Sequence, residues 1–128
     1  MVSVDDAKLE AFMGQALGDL GAAIAGLMVY LGDQLGLYKT MAAVGPVTPA
    51  ALAAKTETDE RYVREWLDNQ AAGGYVTYDK DTRRYELPPE QAMALADEDS
   101  PAFVCGGYAG ITSAYVDADR FVEAFRTG

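Results

Sequence analysis

A chain of 128 residues is sized for one domain, and with half its residues hydrophobic it can build a core and is too apolar to stay disordered. It carries 20 acidic and 10 basic residues for a formal net charge of −10, which opposes a nucleic-acid partner because phosphate binding draws on neutralising cations. It has no histidine, which removes the commonest general base and the commonest transition-metal ligand and excludes any Ser-His-Asp or Cys-His site.

The N-terminus opens with Asp5 and Asp6 rather than Lys or Arg, which argues against a secretory signal. From Leu9 through Phe12, Met13, Leu17, Leu20, Ile24, Leu27, Leu31 and Leu35, apolar residues recur at steps of three and four. That spacing predicts one face of a long amphipathic helix with a coiled-coil-like seam. Gly14, Gly18, Ala22 and Gly26 form a second stripe of small residues at every fourth position. Glycine costs about 1 kcal/mol against alanine in a helix interior. The stripe therefore predicts close packing against a second helix, within the domain or across a dimer; the alternative is a break into two helices near Gly21. The candidate dimer contacts are Leu9, Phe12, Met13, Gly14, Leu17, Gly18, Ala22 and Ile24. The uncharged run from Leu20 to Gly32 is too short for a bilayer, which needs about 20 residues. Residues 32–38 read as the helix exit, with Gly36 as the stop.

Thr48 is a good N-cap and Pro49 suits a first helical turn, so a short helix is expected over Ala50–Lys55. Thr58 is expected to cap the next helix, with Asp59 and Glu60 complementing its dipole. Tyr62, Val63, Trp66, Leu67 and Ala71 share a face and are expected in the core. Gly73 and Gly74 end that helix. Tyr75–Tyr78 reads as a strand, Asp79–Thr82 as a turn and Arg83–Leu87 as the returning strand. Pro88 and Pro89 stop the sheet and open a helix running to about Ala96. Together these form a helix-turn-helix with a two-stranded wing.

In DNA-binding relatives of this shape the second helix enters the major groove. Here the stretch from Asp59 to Asn69 sets four acids (Asp59, Glu60, Glu65, Asp68) against Arg61 and Arg64, a net of −2. Arg64 stands at pairing distance from both Glu60 and Asp68, so ion pairs within the helix are its expected use. Arg83 and Arg84 are the only adjacent basic pair, and Asp79, Asp81 and Glu86 surround them.

Asp97–Ser100 reads as a charged turn. From Phe103 to Phe125 the apolar spacing is mostly helical. The run VCGGYAG from Val104 to Gly110 imitates a nucleotide loop but lacks a βαβ context, and is expected to be a loop or helix start. Asp117 and Asp119 do not converge on a helix and are expected to cap or face solvent. Cys105 is the single cysteine, so no internal disulfide forms; a reducing, cytoplasmic location is expected, with the thiol as a small buried hydrophobe. Tyr30, Tyr108 and Tyr115 are candidates for lining a substrate cavity.

The run from Thr48 to Pro101, with ERYVREWL, AAGGYV and RYELPPEQAMALADEDSP, and the preceding GLMVYLGDQLGLYKTMA, resembles the N-terminal winged-helix region of bacterial class I methyltransferases that use S-adenosylmethionine. The resemblance implies a two-part enzyme. Its N-terminal helical and winged-helix part dimerises and covers the substrate side, and a C-terminal α/β domain binds the methyl donor. It implies a homodimer, a small-molecule methyl acceptor, and S-adenosylmethionine as cofactor of the full-length parent. No catalytic, cofactor-binding or metal-binding residue is expected within residues 1–128, because the strand, glycine-rich turn and ribose-binding acid of a donor site are missing from them. The expected class is mainly α (α+β): a helical dimerisation segment over residues 1–46, a winged helix-turn-helix over 47–96 and a helical segment over 97–128 leading toward a catalytic domain. The competing readings are a winged-helix DNA-binding regulator and a free-standing interaction module.

Overall fold

The computed structural model describes residues 2–128. Its elements run α1 (Asp6–Gln34), α2 (Leu37–Val44), α3 (Pro49–Thr56), α4 (Glu60–Ala72), β1 (Thr77–Asp79), β2 (Arg84–Glu86), α5 (Pro89–Leu95), α6 (Cys105–Val116) and α7 (Ala118–Thr127). This is the expected class, mainly helical with a two-stranded antiparallel wing.

Helix α1 starts where the Asp5 carboxylate accepts the Lys8 backbone N–H at 3.2 Å. It then runs unbroken past Gly14, Gly18, Gly21 and Gly26, so the break near Gly21 does not occur. Only Leu35 and Gly36 separate it from α2, and Gly36 takes the left-handed conformation (φ +68°) that favours glycine. The helix exit is thus shorter than the sequence suggests. Leu37 and Tyr38 already belong to α2 and are completely buried.

The apolar seam of α1 is not the face that joins the core. Val29 and Gly32 are its only buried residues, and both lie in its last third. At Gly32 the backbone runs against two aromatic rings: a Cβ there would sit 2.5 Å from both Trp66 and Tyr38. Those rings meet edge to face, 5.1 Å apart. The Trp66 indole N–H donates to the Met28 carbonyl at 2.8 Å, giving its polar edge a partner inside the core. Tyr38 donates its phenol to the buried Gln70 Oε1. Among the described residues no buried side-chain nitrogen or oxygen lacks a partner.

Thr48 caps α3 as expected, accepting from the Ala51 N–H at 3.2 Å. The cap of α4 is Asp59 rather than Thr58. Glu57 turns left-handed (φ +54°), and the Thr58 N–H folds back to the Ala53 carbonyl at 3.0 Å. Thr58 therefore still belongs to the closing turn of α3. Asp59 is the first residue free to cap, and its Oδ1 accepts from the Tyr62 N–H at 3.1 Å. Helix α4 buries Val63, Trp66, Leu67 and Gln70. Tyr62, expected in the core, is 77% exposed on the flank of that face, and Ala71 is half-buried.

The wing is also shorter than expected. The Tyr75 and Val76 N–H groups both turn back to the Gln70 carbonyl, at 2.9 and 3.3 Å, and so close α4 instead of opening a strand. Strand β1 pairs with β2 through Tyr78 opposite Tyr85. Val47, in the link before α3, bridges to Tyr85 and ties the wing to the helices. Helix α5 follows Pro88 as expected. Val104 leads into α6, so VCGGYAG is a helix start.

Candidate functional site: exposed helix faces, a cleft and the wing

All eight candidate dimer contacts lie on exposed surface. Phe12 is 62% exposed, and Leu9, Met13, Leu17 and Ile24 are uncovered with it. Gly14, Gly18 and Ala22 are exposed too, and a Cβ at either glycine meets nothing within 4 Å. Of the small-residue stripe, only Gly26 packs inside the domain, against the Tyr108 ring at 3.3 Å. The N-terminal half of α1 is thus apolar, smooth and uncovered. An 18-residue window of α1 has a mean hydropathy of 1.4 and is 6% buried. By length and composition alone the whole helix is long and apolar enough to cross a membrane, although its uncharged run from Leu20 to Gly32 is not. The end of the chain is similarly bare: Tyr115, Val116, Phe121 and Phe125 are all exposed.

Between α1 and α6 lies a cleft of about 400 Å³, walled by Ala22, Ile24, Gly26, Leu27, Tyr108 and Tyr115 among others. Two of the three candidate cavity tyrosines therefore share one apolar cleft, while Tyr30 is half-buried and does not line it. The Tyr108 phenol lies 3.3 Å from that of Tyr75, at the close of α4. Sequence spacing gave no hint of this pair. The hydrogen bond to Tyr108, together with burial, pushes the Tyr75 phenol up to about 12. At neutral pH it stays protonated and acts as a hydrogen-bonding group rather than a base.

On the surface that a DNA-binding winged helix would use, one arginine of the second helix is already engaged. Arg64 pairs with Glu60 at 2.7 Å. It does not pair with Asp68, which accepts the phenol of Tyr85 from the wing. This contact, together with burial, pushes the Tyr85 phenol up to about 12, burial being the larger cause. Arg83 stands at the wing tip in a left-handed conformation (φ +56°), exposed beside Arg84.

Among the described residues no cluster of His, Cys, Asp and Glu could hold a metal ion. Asp117 sits at the junction of α6 and α7 and faces Arg120 at 3.5 Å. Cys105 is completely buried, with its thiol against the Leu95 carbonyl at 3.5 Å. Burial is the main cause that pushes the thiol from about 9 up to about 11. Only a thiolate is a good nucleophile. A disulfide exchange reagent at pH 8 should therefore leave Cys105 unmodified in the native protein and titrate it fully in denaturant. Rapid modification of the native protein would place the thiol at the surface.

A helix-turn-helix, a two-stranded wing and a capping helix at either end define a winged helix-turn-helix domain. A family model described as the Rv2258c-like winged HTH domain matches residues 22–97, and the chain belongs to that family. Among solved structures it is similar to the N,N-8-amino-8-demethyl-D-riboflavin dimethyltransferase RosA of Streptomyces davawensis, with 27% identity and a TM-score of 0.69 over 93% of this chain and 34% of that one. The human N-acetylserotonin methyltransferase in complex with SAM shares the fold at 19% identity and a TM-score of 0.73, over 99% of this chain and 36% of that one. PigF, solved with SAH, shares it at 18% identity and a TM-score of 0.73, over 88% and 32%. The chain spans about a third of the length of each. No curated protein sequence matches it.

Proposed function

We propose that the chain is the N-terminal dimerisation and substrate-enclosing domain of an S-adenosylmethionine-dependent methyltransferase. The observation that carries this reading is the coverage: nearly the whole chain matches about a third of a dimethyltransferase, at 27% identity. The uncovered apolar face of α1 supports it. Exposed apolar faces rimmed by polar residues mark interfaces. Asp19 stands inside this helix and the domain carries −10, which favours a second helix over lipid as the cover. Two copies of α1 meeting across Gly14 and Gly18 would bury the seam of both.

In this reading the cleft of Tyr108 and Tyr115 forms one wall of the acceptor pocket, and the exposed faces of α6 and α7 pack on the donor-binding domain. The acceptor is a small molecule. The methyl group passes to it by displacement at the donor sulfonium carbon, and the donor contacts lie outside residues 1–128. The unpaired cysteine and the acidic surface suit a soluble, cytoplasmic enzyme. Residues 1–46, 47–96 and 97–128 then divide into dimer arm, winged helix and connector. The fold alone also suits a DNA-binding regulator, but the net −2 of the stretch from Asp59 to Asn69 opposes that use.

Titration calorimetry tests the assignment. The 128-residue protein should release no heat of binding with S-adenosylmethionine, while the polypeptide encoded by the whole reading frame should bind it. Saturable donor binding by residues 1–128 would overturn the assignment.

A further inference from the structure

A second apolar groove lies on the opposite side of α4 from the wing and shares no residue with the cleft of Tyr108. It has a volume of about 330 Å³, within the range of small-molecule sites. Its walls are Met28 and Leu31 of α1, Leu35 just after it, and Val63 and Trp66 of α4, and its rim carries Tyr62, Glu65 and Asn69. Trp66 is held in place by its bond to the Met28 carbonyl, so the floor is fixed before anything binds.

Two rim groups point to the chemistry of the occupant. Tyr62 is 77% exposed although it borders an apolar groove, and its ring stands three residues before Glu65 on the same face of α4. The Glu65 carboxylate makes no ion pair among the described residues, although Arg61 precedes it by one turn. An apolar trough that ends in an aromatic ring and an unpaired carboxylate complements a cation on an apolar body. A second copy carries a net charge of −10 and is a poorer match to Glu65, so it is the less suited occupant.

We propose that the groove between α1 and α4 binds a small organic ammonium ion with an apolar tail, its tail against Trp66 and its charge between Tyr62 and Glu65. This goes beyond the methyltransferase reading and does not depend on it.

Trp66 is the only tryptophan, so its fluorescence reports on the groove directly. Three probes of one shape separate the terms: 4-phenylbutylammonium, 4-phenylbutanol and 4-phenylbutyrate. The ammonium should give a saturable change at affinity about tenfold above the alcohol, and the butyrate should bind more weakly than both. Glu65→Gln should bring the ammonium down toward the alcohol while leaving the circular dichroism spectrum unchanged. Tyr62→Ala should weaken the ammonium more than the alcohol. Equal affinity for all three probes, an unaltered response in Glu65→Gln, or no response to any probe would overturn the proposal. A response that fades as protein concentration rises would place a second copy in the groove, and would overturn it too.

Discussion

Alanine at Gly32 is expected to cost about 2 kcal/mol, although alanine is the better helix former. The position lies inside α1, where the exchange alone would stabilise by up to about 1 kcal/mol. The added methyl has nowhere to go. It would sit 2.5 Å from Cζ2 of Trp66 and 2.5 Å from Cε2 of Tyr38, and both rings are buried and hydrogen-bonded. Either α1 lifts away from α4 or one ring leaves its rotamer. Overpacking of this kind costs about 1–3 kcal/mol. In a domain of this size the melting midpoint should fall by roughly 8 °C. Gly21→Ala supplies the control. A Cβ there meets nothing within 4 Å, so stability should rise by about 0.5–1 kcal/mol. Urea denaturation of both variants checks the pair of signs; a gain in stability at Gly32 would show that α1 does not lie against Trp66.

Removing Trp66 is expected to be costlier still. The side chain is 5% exposed, it joins α4 to α1 through its bond to Met28, and its ring packs edge to face on Tyr38. Trp66→Ala should cost about 3–5 kcal/mol, since the cavity it leaves is walled by helices that cannot close fully. Trp66→Phe restores most of the volume and loses the indole bond, so about 1–2 kcal/mol is expected. Tyr62→Ala, one turn earlier on the same helix, should change stability by less than about 0.5 kcal/mol, as a surface substitution does. Thermal unfolding followed by circular dichroism gives all three. A Tyr62 variant as damaging as Trp66→Ala would mean that the face of α4 is rotated.

The periodic elements were legible in the sequence because local rules set them. Thr48 and Pro49, the glycine pair after α4 and the double proline before α5 each fix a boundary through backbone geometry alone. Tertiary choices were not legible in the same way. Tyr62 and Trp66 carry similar apolar spacing, and only the arrival of α1 at Gly32 decides which turns inward. The Asp59 cap depends on the left-handed turn at Glu57, which an ordinary glutamate does not announce. Tyr75 reads as strand by composition, but its N–H is already spent on closing α4. The α1 seam was visible as a pattern, but the pattern could not tell core from surface: Leu17 lies on the seam and is exposed, while Val29 lies off it and is buried. Of the cavity tyrosines, Tyr108 and Tyr115 share a cleft because α6 packs on α1, a contact between segments far apart in the chain.

Sedimentation velocity with a fluorescent duplex at low salt separates a protein-contact domain from a DNA-binding one in a single run. The wild-type protein should sediment as a dimer with the duplex running free, and Gly18→Leu should sediment as a monomer because a branched side chain blocks the approach of two α1 helices. A monomeric wild-type protein that carries the duplex with it, and releases it when Arg83 and Arg84 become alanine, would contradict the assignment of this acidic winged helix to protein contact.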